Sequence, residues 1–426
     1  MVITNVAIFT NDPENPFISR GYVEIHGKII RKVGTMEEYK GSKDEVFDGS
    51  DAILIPGLVN AHFSLYNSVY NLALRKNLEG IVGTDYLERL VRYFKELKWD
   101  ELEVYSIEVG VLLSQINGIT TIFGPIFDSE TTSPDTIMQI AEKYGVRLVT
   151  GPVIYKENLD KIVEKWKNAS RSELFYPVVY ITELPEYSER ELKKLTSLIV
   201  SGIDVILVVF DMHSDDTRCL SLYGEHLIDR LLNNGLMVPN AGIAYAGNMS
   251  ETDMDIIASK QMFVIKSLRT ELFAGTFKSN IADFLGRGMN VCLGSGLIDT
   301  DLLGEARGLI LSERHFKGFD LKVIDYELKK TLFDNNYKLA EKFFKKGLGK
   351  IKPGYEADLA LFKPRSPFSF IEKEKESLSA FIVDLSNNYY VSDVWNAGER
   401  MIESGNHTRV TREYLEKIRN RLNEIL

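Results

Sequence analysis

Residues able to bind a metal or to move a proton are sparse in this chain of 426 residues, which has six histidines. His62 follows one short apolar run, and Asp211 and His213 follow another. Imidazole and carboxylate groups are zinc ligands, and a catalytic zinc needs about three of them from the protein. These side chains could form such a site if the fold brings the two runs together. The alternatives for His213 are a solvated loop position or a role in a polar pocket.

The elements that must position these residues alternate between short β-type runs and longer amphipathic runs across 57–346. This alternation predicts repeated βα units around a parallel sheet. The strand candidates are 58–62, 119–125, 146–154, 175–182, 203–210, 239–246, 262–267 and 290–295. Eight such units predict an α/β protein with a (β/α)8 TIM barrel, whose site lies at the C-terminal mouth.

Both ends of the chain are rich in β-type sequence. Residues 1–56 and 347–405 together predict one small β-sandwich built from both termini, beside a barrel domain over 57–346. The final segment, 406–426, predicts a C-terminal helix with Thr411 as its N-cap. Docking onto the barrel and contact with another subunit are the two roles open to this helix.

Composition excludes several classes of partner. A net charge of −10 without a concentrated basic stripe argues against nucleic acid and anionic membranes. No apolar run is long enough to cross a bilayer and the N-terminus lacks a secretory pattern, so we expect a cytoplasmic protein. Cys219 and Cys292 are far apart in the sequence and are expected to be buried, reduced thiols.

Three segments carry a resemblance to a known family. They are PGLVNAHFS at 56–64, GITT at 118–121 and GLGKIKPGYEADLALF at 347–362. The chain resembles the amidohydrolase superfamily over essentially its full length, and within it the guanine deaminase and chlorohydrolase branch with aminohydrolases of the SsnA type. Enzymes of this family hydrolyse C–N or C–Cl bonds with a metal-activated water. By analogy with them, self-association is a reasonable expectation.

The resemblance also implies where the metal ligands should be. The family uses H-x-H on strand one, a histidine on each of strands five and six, and an aspartate on strand eight. These positions fall on His62, Ser64, Val208, Tyr245 and Gly296. His62 alone keeps a metal-binding side chain, so the resemblance predicts a dismantled metal site and no zinc or iron cofactor.

Other polar residues are expected at the same mouth and could bind a small polar ligand. They are Tyr66, Asp211, His213, Asn248, Lys266, Arg269 and Ser295. Lys266 and Arg269 would offer charge to an anionic group, or would be ordinary surface charges. His62 could equally be a packed core histidine, and Tyr245 could simply fill space. A further amphipathic run, 86–94, is either a helix that covers the substrate or a plain packed helix.

Three functions remain open from the sequence. The first is a non-catalytic relative of aminohydrolases that binds a ligand or a partner subunit, as the altered ligand positions suggest. The second is an active C–N bond hydrolase of the deaminase or chlorohydrolase kind with relocated ligands. The third is a metal-independent enzyme that uses His62 or Tyr245 as an acid or base.

Overall fold

The computed structural model describes residues 1–66, 68, 99–127, 132–239, 241–274, 281–317, 321–366 and 377–425. The amphipathic run 86–94 lies outside these residues. Among them, no helix is long and apolar enough to cross a membrane.

The strands form two sheets. In chain order they are β1 (Val2–Phe9), β2 (Phe17–His26), β3 (Ile29–Thr35), β4 (Val46–Asp48), β5 (Ile53–Pro56), β6 (Leu58–Asn60), β7 (Ile119–Ile126), β8 (Arg147–Ile154), β9 (Phe175–Ile181), β10 (Asp204–Asp211), β11 (Gly242–Gly247), β12 (Phe263–Lys266), β13 (Asn290–Leu293), β14 (Leu359–Pro364), β15 (Tyr389–Asn396), β16 (Glu399–Glu403) and β17 (Asn406–His407). Strands β6 to β13 pair in parallel with their sequence neighbours in one sheet.

The helices lie mainly between the barrel strands. They are α1 (Trp99–Ile116), α2 (Pro134–Tyr144), α3 (Leu159–Trp166), α4 (Glu189–Val200), α5 (Met212–Tyr223), α6 (Leu227–Asn233), α7 (Glu251–Ser259), α8 (Leu268–Ala274), α9 (Ile281–Gly286), α10 (Leu302–Lys317), α11 (Leu321–Leu328), α12 (Asn335–Phe344), α13 (Leu378–Asn388) and α14 (Arg412–Ile425). Lys329–Asp334, between α11 and α12, is a π-helix, and Leu184–Glu186 after β9 is a 3-10 helix.

The parallel sheet is buried on both faces, which explains its apolar sequences. Every residue of β7 and β8 is buried, as expected when helices cover a closed parallel sheet. Hydrogen bonds just beyond the first and last strands bring the sheet almost to closure. The Ala61 N–H donates to Leu293 O (3.3 Å), and the Gly296 N–H donates to His62 O (2.8 Å). The predicted fold class, a TIM barrel with a separate β-rich part, is confirmed.

The second sheet combines strands from both ends of the chain. Its order within the described residues is β17-β16-β15-β14-β5-β1-β2-β3, with β4 beside β1. The joining pair is antiparallel, and Leu359 of β14 lies opposite Pro56 of β5. The apolar side chains of these strands form their own buried cluster, which includes Leu54, Leu361 and Trp395. The division into domains at 56 and 347 stays a prediction.

A buried charge cluster joins the two sheets at the N-terminal end of the barrel. Arg147, the first residue of β8, is 1% exposed and forms ion pairs with Glu356 and Asp358. It also donates to Asn396 Oδ1 over 2.6 Å. Two carboxylates and an amide therefore satisfy one guanidinium, apart from its Nε, which finds no partner among the described atoms.

Helix α14 packs on the barrel. Ile418 and Leu422 are buried beside Leu102 of α1. The N–H of Tyr414 donates to Thr411 Oγ1 (3.3 Å), as expected for the proposed N-cap. This contact is the docking role considered from the sequence, and an intersubunit role stays a prediction. Cys219 and Cys292 are buried free thiols.

Candidate functional site at the barrel mouth

His62 lies at the centre of the C-terminal mouth, just after β6. Its side chain is 1% exposed, and its ring lies 5.8 Å from the Tyr180 ring and 5.2 Å from the Tyr245 ring, centroid to centroid. Burial lowers the pKa of His62 to about 3, so its imidazole is neutral at physiological pH. Among the described residues, its Nδ1 has no hydrogen-bond partner. The ring therefore keeps a hydrogen-bonding atom for a ligand or water.

Ser64 and Gly296 face each other across the closing seam of the barrel. The Ser64 N–H donates to Gly296 O over 3.1 Å. Gly296 has φ +68°, and a Cβ placed there would lie 2.4 Å from Thr270 Oγ1 and 2.8 Å from Ser267 Cβ. Position 296 therefore has no room for an aspartate unless the turn between β12 and α8 moves.

Tyr245, which the resemblance assigns to the strand-six position, packs beside His62. Its ring stacks on Phe210 with centroids 4.5 Å apart and is 1% exposed. Burial raises the pKa of the Tyr245 phenol, so the hydroxyl stays protonated. This hydroxyl also lacks a partner among the described residues. Its backbone is left-handed (φ +70°), as are those of Ala246 (+52°) and Asn248 (+55°).

The strand-five residues do not form the relocated metal site considered from the sequence. Val208, opposite Ala244 in the β10–β11 ladder, carries an aliphatic side chain. Asp211 is engaged as the N-cap of α5, where it accepts from the N–H groups of His213 and Ser214. The His213 side chain is exposed. In the part of the chain that the structure describes, no group of three or more His, Cys, Asp or Glu side chains could hold a metal ion.

The two cationic side chains expected at the mouth are already neutralised. Lys266 is fully buried and pairs with Glu271 at 2.5 Å. Arg269 pairs with Asp299 at 2.7 Å and with Glu305 at 2.8 Å. Neither side chain is therefore poised to attract an anionic ligand, because a buried carboxylate balances each charge.

Two of the remaining predicted pocket residues, Ser295 and Tyr66, have structural partners. Ser295 exchanges two hydrogen bonds with Asn60, at 2.8 and 3.0 Å, and so helps to close the barrel. Tyr66 stacks on Phe127 with ring centroids 4.2 Å apart. Burial raises the pKa of Tyr66 to about 12, opposed by a hydrogen bond with Ser64. Asn248, at the end of β11, is half-buried.

Sequence reasoning missed several side chains at this end of the barrel. Tyr180, Ser267 and Thr270 contact the His62 and Gly296 positions. Asp215, in the first turn of α5, is also notable, because burial and the nearby Asp211 raise its pKa to about 7. A carboxyl group with such a pKa can gain or lose a proton near neutrality. The i, i+4 spacing of the two aspartates at a helix start was the available signal.

The sequence comparisons find proteins that are named as deaminases. A 5-methylthioadenosine/S-adenosylhomocysteine deaminase from Clostridium tetani is 23% identical over 392 residues, which are 86% of this chain and 86% of that protein. The Bacillus cereus protein of the same name is 22% identical over 418 residues, 94% of this chain and 93% of the relative. No family model matches the chain.

Solved structures show the same fold. A variant of atrazine chlorohydrolase from Arthrobacter aurescens TC1, in complex with zinc and atraton, has a TM-score of 0.82 at 17% identity and covers 100% of this chain and 99% of its own. An adenosine deaminase from Xanthomonas campestris with bound zinc has a TM-score of 0.75 at 14% identity, covering 100% and 98%. These comparisons confirm the resemblance to the amidohydrolase superfamily and its deaminases and hydrolases.

One expectation needs correction. The expectation that no zinc or iron is involved is contradicted, because the structural neighbours hold zinc and point to a divalent metal cofactor. The relatives carry the names of enzymes. The residues at the five positions predicted from the resemblance nevertheless do not fit a metal, since only His62 among them carries a side chain that binds one. The side chains at these five positions therefore do not support a step that depends on a bound metal.

Proposed function

We propose that this chain is a hydrolase of C–N bonds that acts on a nitrogen heterocycle at the C-terminal mouth of its barrel. The observation that carries this proposal is similarity to deaminases over 85% or more of the chain, combined with His62 in its buried position beside Tyr245. This is the hydrolase alternative considered from the sequence, with altered residues at the remaining ligand positions.

The groups at the mouth suit an uncharged, flat ligand. His62 is neutral, and Tyr245 and Tyr66 are protonated phenols, because burial disfavours their charged forms. Such groups can donate and accept hydrogen bonds at ring nitrogens, while the surrounding aromatic faces pack against a planar ring. The charges of Lys266 and Arg269 are balanced by carboxylates and would not select an anion.

Asp215 is a described group suited to proton transfer. Its pKa of about 7 leaves it partly protonated at neutral pH, so that it could accept a proton from water or donate one to a leaving amine. It lies on α5, directly after β10, at the end of the barrel where sites of this fold are found. We assign this role to Asp215 ahead of Asp211, whose carboxylate is already engaged as a helix cap.

The test is a product assay on compounds that the relatives' names suggest. Purified protein is incubated with 5-methylthioadenosine, S-adenosylhomocysteine, adenosine and atrazine, with and without added zinc, and released ammonia and chloride are measured. We expect ammonia release that falls about 10- to 100-fold in His62→Ala, the scale of a lost hydrogen bond to a reacting ligand. His407→Ala is the matched control, since His407 is a buried histidine beside Tyr144, away from the mouth. Turnover that survives His62→Ala unchanged would contradict the proposal.

One observation favours a second candidate, the binding of a heterocycle without hydrolysis. Ser64, Val208, Tyr245 and Gly296 stand at positions where the family has metal ligands, and Gly296 lacks room for a side chain. Calorimetric titration with the same compounds, followed by product analysis of the solution in the calorimeter, separates the two candidate functions. Heat of binding with the compound recovered intact supports the second candidate, and recovery of the deaminated product supports the first.

A further inference from the structure

The turn that ends β11 has an unusual backbone. Tyr245, Ala246 and Asn248 all have positive φ values, +70°, +52° and +55°. L-residues rarely adopt this conformation because the Cβ atom crowds the backbone, and alanine and tyrosine gain nothing from it. Three such residues within four positions persist only if the surroundings hold them. Something beside the turn must therefore keep it in place.

A buried ammonium lies against this turn. Lys266 ends β12, the strand next to β11, and its Nζ donates to the carbonyl oxygen of Tyr245 over 2.5 Å. The same ammonium pairs with Glu271 of α8 at 2.5 Å, and the two side chains are 0% and 1% exposed. Glu271 also accepts from the Ser267 N–H (3.0 Å), which anchors it to the start of α8. A charge-assisted hydrogen bond shielded from water is stronger than a neutral one.

The turn at 245–248 also sets the position of the Tyr245 ring. Tyr245 directs its ring edge-on to His62, with an angle of 84° between the ring planes, and stacks it on Phe210. A change of handedness at Tyr245 or Ala246 would swing this ring away from the imidazole. The orientation of the Tyr245 ring beside His62 thus depends on the backbone conformation of this turn.

We propose that Lys266, held by Glu271, is a positioning residue that fixes the left-handed turn at 245–248 and thereby holds the Tyr245 ring against His62. The proposal goes beyond the function suggested above and holds whether or not the chain hydrolyses its ligand. It assigns the ion pair a task other than stability, since a pair of this kind can often be replaced by apolar residues at little cost in stability.

The test is the NMR signal of the His62 ring in the full-length protein. The ring current of Tyr245 shifts the His62 ring protons, and the six histidines of the chain give a spectrum simple enough to assign with His62→Ala. The variant Lys266→Met/Glu271→Leu removes both charges together, so that neither is left buried alone. We expect the His62 signals to move by several tenths of a part per million towards their positions in Tyr245→Ala.

Two further variants separate positioning from general loss of stability. Arg269→Met/Glu305→Leu removes a neighbouring pair on α8 and α10 that does not contact the Tyr245 carbonyl, and it should leave the His62 signals in place. Adding Ala246→Gly and Asn248→Gly to the Lys266→Met/Glu271→Leu variant lowers the cost of a left-handed backbone and should return the signals at least halfway. Unmoved His62 signals in folded Lys266→Met/Glu271→Leu, or equal movement in the control pair, would overturn the proposal.

Discussion

Arg147 at one end of the barrel and His62 at the other differ in how far their buried polar groups are paired. At the N-terminal end, Arg147 is sequestered with Glu356, Asp358 and Asn396, so that the opposing charges offset one another. At the C-terminal mouth, His62 Nδ1 and the Tyr245 hydroxyl have no partner among the described atoms, and the adjoining backbone is left-handed. An unsatisfied buried polar group and a left-handed alanine each cost free energy of folding.

The difference separates a cluster of offsetting charges from a mouth whose His62 and Tyr245 keep polar atoms without partners among the described residues. Barrels of this kind have their sites at the C-terminal mouth and their stabilising contacts at the opposite end. Departures from local rules are expected where function requires them. Four measurements test this contrast between the two ends, beginning with the variant that should change stability most.

The first variant lies at the N-terminal end. Arg147→Met leaves Glu356 and Asp358 buried without their guanidinium and should lower the free energy of unfolding by about 3–5 kcal/mol. Chemical denaturation followed by circular dichroism measures it. Arg409→Met, which breaks a neighbouring exposed pair with Glu399, should change stability by no more than about 1 kcal/mol. If Arg147→Met and Arg409→Met lose the same free energy of unfolding, the buried cluster at the N-terminal end contributes no more than an exposed ion pair.

The next effect concerns the closed seam at the mouth. Gly296→Ala places a methyl 2.4 Å from Thr270 Oγ1 on a backbone with φ +68°, and it should destabilise the protein by about 2–4 kcal/mol. Gly288→Ala is the matched control, because its φ is +76° but nothing lies within 4 Å of the added Cβ. That variant should lose about 1 kcal/mol, the cost of the backbone alone. If Gly296→Ala loses no more stability than Gly288→Ala, the strands around Gly296 can move apart to admit the methyl group.

The third effect is a dependence on pH. The pKa of Asp215 is about 7 in the folded protein, above its ordinary value of 3.8, so the folded state binds this proton more tightly than the unfolded state. This carboxyl therefore contributes stability below about pH 4 that is lost as pH rises to about 7. Asp215→Asn lacks this contribution, so its stability relative to wild type should rise between about pH 4 and pH 7. The expected rise is about 1–2 kcal/mol, smaller than the full pKa shift would give, because water screens part of the effect at a half-buried position. Parallel pH curves for the two proteins would refute the raised pKa.

The smallest effect tests the partnerless hydroxyl. Tyr245→Phe removes a buried group that makes no hydrogen bond to the described residues, so stability should stay equal or rise by about 1 kcal/mol. Tyr187→Phe is the control at a satisfied site, since its hydroxyl donates to Ile154 O over 2.9 Å, and it should lose about 1 kcal/mol. The thermal unfolding of each variant is compared with that of the wild type. A loss in Tyr245→Phe as large as that in Tyr187→Phe would indicate that water or a ligand satisfies the hydroxyl.

Much of the fold could be predicted because it depends on local patterns. The alternation of apolar strands with amphipathic helices is present in short segments, and all eight predicted barrel strands overlap observed ones. The motif around His62 likewise placed that residue at the end of β6. The sequence shows that Gly296 has no side chain where a carboxylate was expected. It does not show that Ser267 and Thr270 crowd this position, because that contact depends on how α8 packs.

The electrostatics of the mouth could not be predicted in the same way. Lys266 and Arg269 looked like free charges because their partners, Glu271, Asp299 and Glu305, become neighbours only when the helices fold onto the strands. The left-handed turn was also hidden, since tyrosine and alanine carry no local signal for positive φ. Tertiary contacts override local preference at these positions.

The pairing of β5 with β14 has a consequence for how the chain is made. Ile53 lies opposite Phe362, so during synthesis β5 cannot form this pairing until the distant segment around Phe362 has also been made. Contacts between residues so distant in sequence form late and slowly because the intervening loop must close first. During synthesis the β5 edge is left without its partner, and such edges invite pairing with other chains. The yield of folded protein should therefore depend on chaperones and on the rate of translation more than on the stability of the finished barrel.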